Sequence, residues 1–188
     1  LRLVNKKTNS EKGQSIYFFN LPKMTDRGTF IINGIERAVI NQIVRSPGVY
    51  FSEELDVASG RMLGKAEVRP LHGSWLEFEV SRGDVISARI DRRKKVLGTV
   101  FLRAMGLSSD EEIISAFQEV DSNATHKYIQ ATLAKDPTKS KEEAVLEVYR
   151  KLRPGEPAVL ENAESLFKSM FLEHRRYDLG KVGRYKIN

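Results

Sequence analysis

The stretch Trp75-Leu-Glu-Phe-Glu-Val-Ser-Arg-Gly-Asp84-Val-Ile-Ser-Ala-Arg-Ile90 decides the fold class, because its pattern predicts a β-hairpin. Residues 75–80 alternate with period 2, so one face of the first strand carries Leu76, Phe78 and Val80. The other face carries Trp75, Glu77 and Glu79, which places the tryptophan among polar side chains. Residues 81–84 predict the turn, and residues 85–90 predict the return strand of an antiparallel sheet.

Further strands are predicted on the N-terminal side of this hairpin. Asn33-Gly34 lies between two apolar runs in 29–40, a strong hairpin signal because both turn positions need a positive φ. Ser46-Pro47-Gly48 predicts the end of that hairpin and the start of a new unit. Short strands are also predicted at 1–4 and 16–19, with a polar loop over 5–15 between them, and the β-pattern resumes at Lys65.

Three helices are predicted after the hairpin. Residues 108–117 begin with serines and acids that suit a helix N-terminus, and Ser140-Lys-Glu-Glu143 is a capping box that opens a helix to about Lys151. The third helix follows Pro157 and carries an apolar stripe, formed by Leu160, Ala163, Phe167, Met170 and Phe171. The sequence therefore predicts an α+β fold, with hairpin-rich sheets and a cluster of helices behind them.

The domain organisation predicted from the residues is one α+β domain preceded by an N-terminal appendage that ends near Glu36. The opening segment Leu1–Val4 has a strand pattern, and the closing segment Val182–Asn188 has the pattern of an interrupted strand. We therefore expect the chain to be an excised or trimmed piece of a longer polypeptide.

Composition excludes several classes of site. The chain has 188 residues, no cysteine and three histidines that form no local pair, so neither thiolate catalysis nor a dedicated transition-metal site is expected. No apolar run approaches the roughly 18 residues of a membrane helix, and no secretory signal opens the chain. Phosphate-binding glycine loops and nucleophile motifs are also absent. We expect a soluble, intracellular protein without an active site of its own.

The net charge of +6 is unevenly distributed. Residues 82–103 hold seven Lys/Arg against two Asp, and residues 172–188 hold five Lys/Arg against two acids. Two separate basic clusters in a well-patterned domain indicate a polyanion nearby. A solvated charged face explains the same clusters, and charge alone does not decide between the two.

Three further residues have both a functional and an ordinary interpretation. Trp75 on a polar face suits stacking on an unpaired base, but a tryptophan at a sheet edge is also commonly covered by a loop or helix. Arg45 precedes Ser-Pro-Gly and Arg153 precedes Pro-Gly. A rigid turn presents a guanidinium to a phosphate or base edge with little loss of entropy; ordinary loop arginines bonding carbonyls are the alternative.

The stretch Met24-Thr-Asp-Arg-Gly-Thr-Phe-Ile-Ile-Asn-Gly-Ile-Glu-Arg-Ala-Val-Ile-Asn-Gln-Ile-Val-Arg-Ser-Pro-Gly-Val-Tyr-Phe51 closely resembles the bacterial RNA polymerase β subunit family. Further motifs follow in the family's order: Gly73-Ser-Trp-Leu-Glu-Phe78 with Arg89-Ile-Asp-Arg-Arg93, Leu152-Arg-Pro-Gly-Glu-Pro157, and Arg176-Tyr-Asp-Leu-Gly-Lys-Val-Gly-Arg184. The resemblance implies that residues 1–36 end the protrusion and that 37–188 form the lobe, truncated at its C-terminal side. Together these form one pincer of the DNA cleft.

The same resemblance implies roles for single residues. DNA contacts are implied for Arg45, Trp75, Arg92, Arg93, Arg153 and Arg176, with Trp75 stacking on an unpaired base of the non-template strand. Arg37 and Ile40 match the rim of the rifamycin inhibitor pocket. Glu11-Lys12-Gly13 matches a protrusion edge that docks Tudor-like domains of transcription-repair coupling factor or a related regulator, although Lys12 alone is kept from the family's Ile-Lys-Glu.

The implied function is that of a part of DNA-directed RNA polymerase, a nucleotidyltransferase, which holds the non-template strand and downstream DNA. No cofactor is expected in this segment, because the family's Mg²⁺ is bound by another subunit. The implied partners are DNA, the core subunits α, β′ and ω, and a sigma factor, in the bacterial cytoplasm at the nucleoid. A protein-docking module that works through the protrusion edge is the alternative, and a stand-alone enzyme is the third.

Overall fold

The computed structural model describes residues 2–92 and 94–187. Its contacts divide the chain into two compact units, residues 1–44 and residues 45–188. The division falls a few residues after Glu36, where the sequence placed the end of the appendage. The assignment of residues 1–36 to a protrusion and of 37–188 to a lobe stays a prediction.

The first unit consists of two separate hairpins. Strand β1 (Arg2–Asn5) pairs antiparallel with β2 (Ser10–Gly13), and β3 (Phe30–Ile32) pairs antiparallel with β4 (Ile35–Arg37). Asn33 and Gly34 form the second turn with φ of 52° and 74°. The predicted Asn-Gly hairpin is therefore confirmed, because both turn residues adopt the left-handed conformation that this dipeptide tolerates.

Two predictions for the first unit are wrong. Residues 16–19 form no strand; their side chains are exposed, and the rings of Phe18 and Phe19 pack on each other with centroids 4.7 Å apart. An apolar run becomes a strand when a neighbouring strand takes up its hydrogen bonds, and none of the described residues does so here. The predicted loop over 5–15 also contains β2, which the polar composition of Ser10–Gly13 concealed.

The second unit is built on a five-stranded antiparallel meander. Its strands are β5 (Gly48–Asp56), β6 (Arg61–Arg69), β7 (Leu76–Val80), β8 (Ile86–Ile90) and β9 (Lys94–Leu97), in that spatial order. The register sets Leu76 opposite Ile90 and Phe78 opposite Ala88. This pairing confirms the predicted 75–90 hairpin, with the first strand beginning at Leu76.

Six helices are described in the second unit. They are α1 (Gly98–Met105), α2 (Asp110–Phe117), α3 (Tyr128–Leu133), α4 (Lys141–Leu152), α5 (Leu160–Phe171) and α6 (Gly180–Ile187). The three predicted helices correspond to α2, α4 and α5, and the predicted serines cap α2 and α4: Ser109 accepts a hydrogen bond from the Glu112 amide, and Ser140 accepts one from the Glu143 amide. The predicted α+β fold is confirmed. None of the described helices is long and apolar enough to cross a membrane.

The prediction of a strand at 182–188 is wrong for residues 182–187, because α6 covers them; Asn188 lies outside the described residues. Gly183 is the one buried residue of this helix, and it packs against Pro47. A helix that rests on one glycine carries no apolar stripe, so hydrophobic periodicity could not reveal it.

The hydrophobic core lies between one face of the sheet and helices α1, α4 and α5. Phe101 of α1 is its centre, with ring centroids 6.0 Å from Phe78, 5.9 Å from Phe167 and 5.3 Å from Phe171. Leu76 and Phe78, which the alternation places on one face of the strand, thus face the core, and Ala88 of the neighbouring strand joins them. The opposite face of the sheet and the loop before β7 lie outside this core.

Candidate nucleic-acid interface

Trp75 lies immediately before β7, on a loop that is fixed at both ends. The amide of Trp75 donates to Asp91 Oδ1 at 2.9 Å, and its carbonyl accepts from the Asp91 amide at 2.9 Å. Upstream, the Leu71 amide donates to the Asp178 carbonyl at 2.7 Å, and the Asp178 amide donates to the His72 carbonyl at 3.0 Å. The indole is half-buried and is not part of the hydrophobic core, so it is held in place yet accessible.

Cationic side chains flank the indole and continue to a second ring. The guanidinium carbons of Arg69 and Arg92 lie 4.5 Å and 4.9 Å from the indole centroid. Arg69 also lies 5.6 Å from the ring of Tyr50, which Arg45 and Lys186 approach to 5.0 Å and 5.7 Å. We call this set the cation–aromatic row; it comprises Arg45, Tyr50, Arg69, Trp75, Arg92 and Lys186.

Carboxylates fix two of the row's arginines, Arg69 and Arg92. Glu67 accepts from Arg69 at 3.0 Å and from Arg92 at 3.3 Å, and Glu77 accepts from Arg92 Nε at 3.0 Å. The Glu77 side chain is only 3% exposed and also pairs with Lys65 at 3.1 Å. The predicted polar face is therefore not a solvated face: at Glu77 it is a buried ion-pair layer that supports the row.

Neighbouring groups shift the pKa of Glu67 and of Arg92 toward the charged form of each. Burial raises the pKa of Glu67, but hydrogen bonds and charges from Arg69 and Arg92 outweigh it, so that pKa lies below its ordinary value. Hydrogen bonds from Arg92, first to Glu77 and then to Glu67, raise the pKa of its guanidinium. Arg92 therefore stays charged and oriented beside Trp75 at neutral pH.

Arg153 and Arg176 line one shallow depression at the ends of α4 and α5. Its volume is about 390 Å³, and its polar wall includes Asn162, Ser165 and Ser169. Arg153 lies 3.4 Å from Glu156, which also accepts from the Tyr149 hydroxyl at 2.8 Å, and Arg176 lies 3.5 Å from Glu173. Both arginines are exposed, so these surface pairs are weak and leave the guanidiniums available.

Gly73 joins the depression to the cation–aromatic row. Its φ is 117°, and a Cβ at this position would lie 2.6 Å from Tyr177 Cδ2 and 3.0 Å from the Arg176 carbonyl oxygen. The backbone at Arg176 thus runs against the loop that carries Trp75, and only a glycine permits this approach.

Replacing Gly73 with alanine is expected to destabilise the second unit by about 2–3 kcal/mol, because an L-residue is strained at this φ and its Cβ collides with Tyr177. Gly64→Ala is the matched control, since a Cβ there meets nothing within 4 Å. Urea unfolding followed by the fluorescence of Trp75, the single tryptophan of the chain, measures both. Equal stability of the two variants would contradict the role given to Gly73.

The other predicted residues lie elsewhere. Arg93 is outside the described residues. In the first unit, Arg37 ends β4, Ile40 is 80% exposed, and Glu11, Lys12 and Gly13 lie on β2 with exposed side chains or backbone.

One member of the predicted basic cluster is not on the surface: Arg103 is fully buried and bonds Asp110 at 2.5 Å. Its charge therefore contributes to folding and not to a surface patch.

Sequence reasoning missed Tyr50, Arg69 and Lys186 as members of the row. Arg69 precedes Pro70, just as Arg153 precedes Pro154, so the rule that selected turn arginines would have found it. Lys186 belongs to the basic cluster at 172–188, but no local signal places it beside Tyr50, because it comes there from the far end of the chain. Among the described residues, no group of three or more His, Asp or Glu is placed to hold a metal ion.

Comparisons with known proteins cover both the second unit and the whole chain. A family model described as RNA polymerase Rpb2, domain 2 matches residues 45–188 and so begins where the second unit begins. The chain is 50% identical over 188 residues to the DNA-directed RNA polymerase subunit beta of Alkaliphilus oremlandii, covering 100% of this chain and 15% of that protein. It is 49% identical to that of Clostridioides difficile, with the same coverage, and 50% identical to that of Gloeobacter violaceus, covering 100% and 16%. The chain thus spans about 15% of the length of these relatives.

Proposed function

The chain belongs to the β-subunit family of bacterial DNA-directed RNA polymerase, and we propose that it forms one pincer of the DNA cleft. In this proposal residues 37–188 act as the lobe and hold the separated non-template strand and downstream DNA. Residues 1–36 end the protrusion, and α, β′, ω and sigma subunits complete the enzyme in the bacterial cytoplasm. Phosphodiester synthesis and its Mg²⁺ belong to another subunit, and this segment needs no cofactor.

The observation that carries the proposal is the placement of Trp75. A half-buried indole on a rigid loop, flanked by the guanidiniums of Arg69 and Arg92, has the features of a stacking platform for a single-stranded base. An aromatic ring stacks every base through its π-face, and the neighbouring cations attract the strand to it. The contribution of this unit to transcription is therefore to bind and orient DNA.

The depression formed around Arg153 and Arg176 provides the second contact in this proposal. Within the part of the chain that the structure describes, each guanidinium forms an ion pair with one exposed glutamate, at 3.4 Å and 3.5 Å, so a phosphate can replace that glutamate at little cost. Since Gly73 brings the Arg176 backbone against the Trp75 loop, one strand can contact the depression and the indole in succession.

Arg153→Ala and Arg176→Ala, each in the β subunit of intact polymerase, are expected to lower the slope of log K against log salt for promoter binding by about one unit. Arg150→Ala is the control, because Arg150 is an exposed arginine of α4 that pairs with Glu147 and does not line the depression. If all three variants keep the wild-type slope, neither arginine contacts a phosphate.

A protein-docking function for the first unit is the second candidate, and the geometry of β2 favours it. All four residues of β2 are exposed, and among the described residues β2 is hydrogen-bonded to β1 alone. Its outer edge therefore presents unsatisfied backbone groups to which a partner strand can be added. Lys12 on this strand is the residue kept from the family's Tudor-docking edge.

The docking candidate predicts that Lys12→Glu abolishes binding of a protein with a Tudor-like domain while promoter binding by the polymerase is retained. Backbone pairing tolerates salt better than phosphate contact does, so the docking affinity should change little between low and moderate salt. Surface plasmon resonance with intact polymerase measures both properties. Undiminished binding by the variant would exclude β2 as the docking edge.

A further inference from the structure

Tyr50 is the meeting point of three cations that are remote from one another in sequence. Arg45, Arg69 and Lys186 approach its ring to 5.0 Å, 5.6 Å and 5.7 Å, and they come from the segment before β5, the end of β6 and the last turn of α6. Like charges repel one another, so their convergence on one ring favours the binding of a negative charge there.

Tyr50, Lys186 and Arg69 are each held in place by a contact with a neighbouring residue. The Tyr50 hydroxyl donates to the Ser46 carbonyl at 2.6 Å, and Lys186 Nζ donates to Ser46 Oγ at 2.6 Å. The stem of Lys186 lies against Gly48, where a Cβ would come within 3.0 Å of Lys186 Cδ. Arg69 is fixed by Glu67 at 2.9 Å. The cluster is therefore organised before any ligand arrives.

The negative charge within this cluster does not balance the positive charge. Glu67 neutralises Arg69, but in the described segments 2–92 and 94–187 no carboxylate forms a salt bridge with Arg45 or Lys186. Two positive charges thus remain beside the ring of Tyr50. An anion with several acceptor oxygens satisfies both, and a phosphate does so while also accepting from the planar guanidinium of Arg69.

We propose that Arg45, Arg69 and Lys186, arranged around Tyr50, form a phosphate-binding site for the backbone of single-stranded DNA. Arg69 contacts both the Tyr50 ring and the Trp75 indole, at 5.6 Å and 4.5 Å, so the phosphate bound here is a neighbour of the base on the indole. This inference rests on the proposed function, since it needs a strand at Trp75. It assigns Tyr50, Arg69 and Lys186 a part in binding that strand.

The test uses intact RNA polymerase with substitutions in the β subunit and a forked promoter DNA that carries an unpaired non-template strand. Lys186→Gln removes one cation of the site, and Lys141→Gln is the charge-matched control on the exposed start of α4. Lys186→Gln is expected to lower the salt slope by about 0.7 and to weaken binding about fivefold at 0.1 M salt. The control should leave the slope unchanged, and Lys186→Arg should restore it.

Trp75→Ala distinguishes a failure of the proposed function from a failure of the phosphate site alone. It should weaken binding equally at all salt concentrations, because stacking releases no counterion. If Trp75→Ala has no effect, the proposed function itself fails. If it weakens binding but Lys186→Gln and Lys141→Gln give the same slope, the strand passes Trp75 without a phosphate at Tyr50, and this inference alone is overturned. The inference would also be overturned if inorganic phosphate competes for the site while Lys186→Gln leaves the salt slope of DNA binding unchanged. The site would then bind a free anion and not the DNA backbone.

Discussion

Replacing Arg103 by methionine is expected to lower the free energy of unfolding of the second unit by about 3–5 kcal/mol. The Arg103 side chain is 1% exposed and lies between Asp110, at 2.5 Å, and Asp136, at 3.5 Å, whose side chain is 0% exposed. Arg103 also donates to the Ser108 carbonyl at 2.7 Å. Methionine preserves much of the volume, so the loss reflects the buried Asp136 carboxylate left without its cation, and urea denaturation measures it.

Two comparisons separate this charge effect from simple loss of packing. Arg103→Met combined with Asp136→Asn should recover part of the lost stability, because Asn keeps an oxygen that can accept from the Thr138 amide and hydroxyl but carries no charge. Arg150→Met, at a side chain that is 60% exposed, should cost less than about 0.5 kcal/mol. If the double variant is no more stable than Arg103→Met, the buried charge is not the cause.

Trp75→Ala in intact polymerase is expected to shorten the lifetime of the open promoter complex. Loss of one base–aromatic stack removes about 1–3 kcal/mol, which corresponds to a roughly 5- to 150-fold shorter lifetime. Elongation should proceed at nearly the wild-type rate, because the role proposed for Trp75 is to hold the melted promoter strand. Dissociation after addition of a heparin competitor measures the lifetime.

Trp75→Phe is the control for the loss of the side chain, since a phenyl ring still offers a π-face to a base and to the flanking guanidiniums. It should give a lifetime between those of the wild type and Trp75→Ala. A lifetime that Trp75→Ala leaves unchanged would count against the stacking role, whatever the charge of the surrounding surface.

The parts of the fold that the sequence predicts are those with a strong local signal. Period-2 alternation in 75–90, the Asn33-Gly34 turn and the serine caps at Ser109 and Ser140 each express a local preference that the tertiary structure keeps. Helices α1 and α3 were not predicted. Neither has a side-chain cap, and α1 follows β9 directly with Gly98 as its first residue. Such helices are stabilised by packing against the sheet, and a short stretch of sequence carries no information about that packing.

The site is harder to predict, because its charges are paired across distant strands. Alternation placed Glu77 and Trp75 together on a polar face, but Glu77 is buried by Arg92 and Lys65, which lie on other segments. A count of local charge placed Arg103 in a surface cluster, whereas the structure buries it against Asp136. Lys186 donates a hydrogen bond to Ser46, which lies 140 residues earlier in the sequence. Only the tertiary structure brings these groups together.

The central claim is that Trp75 and the cations beside it hold melted DNA. The most direct measurement places 2-aminopurine at successive unpaired positions of the non-template strand and records its fluorescence in open complexes. The account predicts that one position is quenched in the wild-type enzyme and that Trp75→Ala relieves this quenching at that position alone. Fluorescence that is the same in both enzymes at every position would contradict it.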